Sequence, residues 1–163
     1  MENYRDRYEH WTAGIRSSRS RIAALRLMNK VLTGLFYAAY PVLLSAMAAG
    51  RDPRLLRTVA VPAAAFAALT LIRRKINAQR PYEADQIIPL IPRDKPGESM
   101  PSRHVFSAAV IAMAWLFYWR PAGIFLLAMC LLSAGIRVLG GIHYPRDVVA
   151  GFLAGILAGL LLM

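Results

Sequence analysis

Two histidines, one aspartate and a group of arginines stand out in this chain because the stretches around them are apolar. His143 and Asp147 lie four residues apart with Pro145 between them. On a helix that starts at the proline, the carboxylate reaches back to a ring nitrogen of the histidine, fixes its tautomer and leaves the other nitrogen as a nucleophile. His104, in "PSRH" at residues 101–104, sits in a separate segment and is placed to protonate a leaving oxygen. Ser102 precedes a long apolar run and is a natural N-cap. The free N–H groups and dipole of such a helix start attract an anion. Arg73, Arg80 and Arg137 offer guanidinium forks that match phosphate oxygens, and Arg103 adds a cation beside them. Singly, each has an ordinary explanation: an arginine at the end of a membrane helix snorkels to the headgroups, and a histidine there is interfacial. Together they suit a phosphoryl dianion.

The elements that must position them read as membrane helices. Of 163 residues 57% are hydrophobic, and 20 Lys+Arg stand against 9 Asp+Glu, a formal charge of +11. That is too apolar for an ordinary soluble domain. The cationic excess suits anionic lipid, a phosphate-bearing substrate or nucleic acid, and the apolar runs argue for a bilayer and against nucleic acid. Spans are expected at 31–50, 55–72, 105–119, 121–139 and 148–163, with tight turns at 120–123 and 140–147. A polar segment at 73–103 carries five prolines; its acids Glu83, Asp85, Asp94 and Glu98 read as solvated loop charges rather than a metal site. The later spans are short. Sixteen helical residues cover ~24 Å against a hydrocarbon core of ~30 Å, so polar groups at their ends sit near headgroup depth.

Within residues 1–30, Tyr4, Tyr8, Trp11, Ile15, Ser18, Ile22 and Leu25 recur at alternating spacings of four and three, placing them on one helical face. The expectation is a basic amphipathic helix, broken near Gly14 and lying in the membrane interface; a helix packed on its own protein is the alternative. No cleaved signal peptide is expected, since this segment lacks the apolar core. The fold class is therefore all-α: an integral membrane bundle of about five spans at 31–163, preceded by the interfacial helix at 1–30. Five spans alternate sides, so the tail, the 73–103 segment and the 140–147 turn share one face. Gly151, Gly155 and Gly159 form a small-residue stripe. Packing inside the bundle is the favoured reading, and a homodimer seam the other. Cys130, the single cysteine, excludes an intrachain disulfide and reads as a small buried apolar residue.

"RRKINAQRP", "PSRH" and "RVLGGIHYPRD" resemble the three motifs of the type 2 phosphatidic acid phosphatase family, which shares its pocket with vanadium haloperoxidases: K-x6-R-P, P-S-G-H and S-R-x5-H-x3-D. The match covers about residue 73 to the C-terminus. Arg73 and Arg80 with Pro81 meet the first pattern, Pro101, Ser102 and His104 the second, and Arg137, His143 and Asp147 the third. Three positions depart from it. Arg73 stands where the family has lysine, with Lys75 as a neighbouring substitute. Arg103 replaces a glycine, and its side chain either adds a contact or crowds the pocket. Ile136 replaces a serine and loses its hydroxyl. The typical member has six spans; here the N-terminal helix stands in for the first.

The resemblance implies a metal-independent lipid phosphatase with no cofactor. His143 would attack phosphorus to form a phosphohistidine, Asp147 would orient it, and His104 would protonate the leaving group. Arg73, Arg80, Ser102, Arg103 and Arg137 would bind phosphate. Phosphatidic acid, phosphatidylglycerophosphate and polyprenyl diphosphate are the candidate substrates. A non-catalytic lipid-phosphate binder is the alternative, supported by the changes at Arg103 and Ile136, and a vanadate-dependent haloperoxidase is disfavoured by the membrane setting. The expected location is a bacterial plasma membrane. Sixteen Lys and Arg lie on the expected active-site side and four on the other, which favours the cytoplasmic face for the site and the N-terminus.

Overall fold

The computed structural model describes residues 3–93 and 95–163, and its regular structure there is wholly helical. The helices are α1 (Tyr4–Arg16), α2 (Arg19–Ala49), α3 (Leu55–Ile76), α4 (Pro81–Ala84), α5 (Arg103–Tyr118), α6 (Arg120–Leu139) and α7 (Pro145–Leu160).

α5 is apolar on every side, and such a helix belongs at the centre of a bundle. Val105, Phe106, Ala108, Ala109, Val110, Ala112, Met113 and Ala114 are all buried, and α2, α3, α6 and α7 surround it. The approach of α7 depends on the glycine stripe. A Cβ at Gly151 would lie 2.5 Å from the Ser102 carbonyl oxygen, one at Gly155 would lie 2.6 Å from Ala109 Cβ, and one at Gly159 would meet Met113. All three glycines are buried under α5. The homodimer seam proposed for this stripe is therefore corrected: the bundle uses the glycines itself, because only hydrogen at those positions lets the two backbones close.

Among the described residues three stretches, Arg19–Ala49, Leu55–Ala84 and Arg120–Leu139, are long and apolar enough to cross a membrane, while α5 is a shorter apolar helix of 16 residues and α7 also has 16. α2 and α3 each contain a proline, which leaves a carbonyl one turn earlier without its helical partner. In α3 the carbonyl freed by Pro62 belongs to Thr58, and Tyr40 Oη of α2 donates to it at 2.9 Å. A sequence feature that breaks a ladder thus ties two helices together.

The N-terminal segment breaks at Ser17–Ser18 rather than at Gly14, which lies inside α1. Ser17 Oγ donates back to the Gly14 carbonyl at 2.9 Å, and Ser18 is extended at φ −144°. Serine hydroxyls compete for backbone groups in this way, whereas one helical glycine costs only ~1 kcal/mol. α2 then runs uninterrupted from the basic tail into the first span. α1 turns Tyr8 and Thr12 fully inward: Tyr8 Oη donates to the Leu139 carbonyl at 3.1 Å, and Arg16 Nη2 donates to the Ile88 carbonyl at 2.7 Å. Trp11, from the same apolar stripe, stays exposed.

Candidate active site

The site forms where the C-terminal ends of α3 and α6 meet the N-terminal ends of α5 and α7. The turn between α6 and α7 supplies its centre. Pro145 occupies the first helical position of α7, and Asp147, two residues on, accepts a hydrogen bond from the Tyr144 N–H at 3.1 Å, so the carboxylate that starts the helix is turned back toward the turn. His143 Nδ1 lies 3.5 Å from the same carboxylate oxygen and 3.3 Å from Ser99 Oγ, and Ser99 also donates to Asp147 Oδ2. Nδ1 therefore carries the proton toward the carboxylate, and Nε2 is the ring nitrogen left for chemistry. Burial, joined by the charges of Arg80 and Arg137 and outweighing the Asp147 carboxylate, lowers the His143 pKa to about 4. The imidazole is neutral at physiological pH, as a nucleophile must be.

His143, His104 and Ile142 share a cavity of about 10 Å³ with Arg73, Arg80, Arg93, Arg103 and Arg137. The structure thus brings together both expected histidines and every expected arginine. They are not equivalent. Arg73 donates to the carbonyls of Glu98, Ser99 and Pro101. Arg80 donates to those of Gly97 and Ile142 at 3.0 Å and of Glu98 at 3.4 Å. These two guanidinium groups hold the 97–101 loop and the 142 turn in place. Arg137 makes only a 3.5 Å contact with Thr33 Oγ1, and its Nε, like that of Arg93, is buried without a partner. Arg103 stacks over the Phe66 ring at 5.4 Å.

Ser102 stands at the N-cap position of α5, but its hydroxyl caps nothing and is buried without a partner, while its N–H donates to the Asp147 carbonyl at 2.8 Å. That bond joins the second motif to the third. Lys75 and Arg74 are exposed, so Lys75 does not stand in for a lysine at position 73. Ile136, in place of a serine, packs with Leu25, Leu32, Leu90, Ile91 and Ile142, which pins α2 and the loop against α6. Of the loop acids, Glu83 accepts from the N–H groups of Arg80 at 2.8 Å and Gly97 at 2.9 Å, and Asp85 accepts from Tyr144 Oη. Asp94 lies outside the described residues.

Sequence reasoning missed Ser99 and Arg93. Ser99 precedes the "PSRH" motif in a proline-flanked loop where no periodicity marks a side chain as inward. Arg93 lies in a loop that long-range bonds carry to the site, among them the pairing of the Ile91 N–H with the Gly140 carbonyl at 3.1 Å.

A second, apolar cavity of about 240 Å³ shares Arg103, His104 and Arg137 with the first and extends between α2, α3, α5 and α6. It continues into a third of about 380 Å³, the two sharing Phe36, Tyr37, Phe66, Ser107 and Ile111. Charge at one end and an apolar groove at the other match an amphiphile.

The family model described as PAP2 superfamily matches residues 54–163. Undecaprenyl-diphosphatase BcrC of Bacillus subtilis (strain 168) is 37% identical over 82 residues, which are 50% of this chain and 42% of that protein; the chain thus spans under half the length of this curated relative. Two crystal structures share the fold at 21% identity. Aquifex aeolicus LpxE superposes with a TM-score of 0.64 over 86% of this chain and 92% of its own. The first transmembrane PAP2 type phosphatidylglycerolphosphate phosphatase from Bacillus subtilis does so at 0.62 over 95% and 90%.

Proposed function

Because this chain belongs to the PAP2 superfamily, we propose that it is an integral membrane phosphatase that removes phosphate from a lipid phosphate monoester or diphosphate through a phosphohistidine. The observation that carries this reading is the buried His143, tied through Nδ1 to Asp147 and Ser99 and lining the arginine cavity with His104. Nε2 attacks phosphorus as the bond to the leaving oxygen breaks, and His104, which takes up the proton that a monoprotonated phosphate brings into the site, gives it to that oxygen. His104, now a base, takes a proton from water, which cleaves the P–N bond and frees phosphate. Guanidinium groups offset charge on the equatorial oxygens throughout. The apolar cavities beside Arg103 support a lipid tail, and the phosphatidic acid, phosphatidylglycerophosphate and polyprenyl diphosphate classes all fit that description.

The test is phosphate release from detergent-solubilised protein on these three lipids, with and without EDTA. Wild type releases phosphate in both conditions, since the arginines supply the positive charge. His143→Ala loses at least about three orders of magnitude in kcat, as loss of a nucleophile does, while still binding the lipid. Turnover within about tenfold of wild type in that variant would rule out the covalent route. Tight lipid binding by wild type with no release would favour a non-catalytic binder.

A further inference from the structure

Arg103 is the cation that the chemistry above leaves over. Arg73 and Arg80 spend their donors on loop carbonyls. Arg93 and Arg137 keep free donors beside the histidines and supply the charge one phosphoryl dianion needs. Arg103 makes no hydrogen bond or ion pair among the described residues and leans on Phe66. With His104 and Arg137 it lines both the small cavity around His143 and the apolar cavity with Phe36, Phe66 and Ile111, and of the two arginines at that junction Arg137 is 4% exposed whereas Arg103 is half-buried. Any lipid with its phosphorus at His143 and its tail in the groove passes Arg103 at the junction. For a monophosphate, the segment passing there is an ester oxygen and a methylene, which leaves a half-buried guanidinium facing uncharged atoms at a cost in desolvation. For a diphosphate, the segment is a second phosphoryl group, which that guanidinium can clasp through two parallel N–H···O bonds.

We propose that Arg103 determines substrate specificity by holding the phosphoryl group that is not transferred, so that this site selects lipid diphosphates over monophosphates of the same tail. The inference rests on the phosphatase reading and narrows its substrate class. The test compares kcat/KM for farnesyl diphosphate and farnesyl monophosphate in mixed micelles, in wild type, Arg103→Gly and Arg103→Gln. Each variant serves as its own control for folding, because the readout is the ratio of the two substrates. The expected result is a fall in the diphosphate preference of about tenfold or more in both variants, with the loss borne by the diphosphate, the scale of a charge-assisted pair. A ratio unchanged within about twofold, whether both rates fall together or rise together, would overturn the proposal and make Arg103 a general contact or an obstruction. A binding arm measures Kd for the same two lipids on His143→Ala with and without Arg103→Gly. If wild type turns over neither lipid, the phosphatase reading fails, and the Kd ratio still decides what Arg103 recognises.

Discussion

At the scale of single residues, five arginines around one small cavity divide into two kinds of work. Arg73 is 4% exposed, and its donors satisfy three carbonyls of the loop that bears Ser99. Replacing it with alanine strands those carbonyls in a buried setting, at ~1–3 kcal/mol. Arg93 holds nothing with its Nε. Arg73→Ala is therefore expected to lower both the melting temperature in detergent and kcat/KM. Arg93→Gln is expected to leave melting nearly unchanged and to lower kcat/KM about 10- to 100-fold. Calorimetry beside steady-state kinetics checks the split; matched losses of melting temperature in both variants would mean Arg93 is also structural. Tyr144 works at the same scale. Burial, then its bond to Asp85, raises its phenol pKa, so it stays a donor across the physiological range and fastens the turn that presents His143.

At the scale of elements, the site depends on how closely α5 and α7 approach. The Ser102 N–H to Asp147 carbonyl bond crosses the same seam as Gly151. A larger residue along the stripe must push the helices apart or distort them. Gly155→Leu is expected to cost ~1–3 kcal/mol or more by overpacking, to lower the melting temperature of the detergent-purified monomer, and to reduce activity by displacing Asp147 from Ser99. If the variant instead changed only the dimer fraction, with the monomer's melting temperature intact, the stripe would be acting between chains. α1 has a comparable role from outside. Its bonds to Leu139 and Ile88, together with Arg26 Nε on the Leu90 carbonyl at 2.7 Å, strap the 85–93 loop against the turn before His143.

At the scale of the molecule, tail, loop and turn lie at one end of the bundle, and Arg51 and Arg54 line a surface at the other with Tyr118. With the five arginines of the site cavity set aside (Arg73, Arg80, Arg93, Arg103 and Arg137), eleven cations remain at the site end against four at the other. The Lys/Arg excess belongs on the cytoplasmic side, and we expect the site to face the cytoplasm. Thiol labelling in intact cells tests this, on a Cys130→Ser background with single cysteines at Ser17 and Ile88, both exposed in the fold. An impermeant reagent is expected to label neither until the cells are opened. Labelling of both in intact cells would put the site outside.

The sequence by itself determined the chemistry-bearing residues and the helices that carry them, because both are local. His143 and Asp147 meet through one helical turn that Pro145 starts, and apolar runs between charged ends mark helices through length and composition alone. The same local logic placed Ser102 at a helix start and put His104 beside it. What needed the tertiary structure was everything set by the partner across a gap. No spacing says that Arg73 and Arg80 spend their donors on carbonyls of residues 97–101 and 142, or that Ser99 and Arg93 join the site, since those contacts close only when the proline-rich loop folds onto the α6–α7 turn. The glycine stripe could serve either a neighbour in the chain or a second copy, and α5 lying across it decided between them. The break in the N-terminal segment falls at Ser17–Ser18 rather than Gly14 because Ser17 Oγ donates to the Gly14 carbonyl, while one helical glycine costs too little to interrupt α1, which Tyr8 and Arg16 also hold on distant carbonyls.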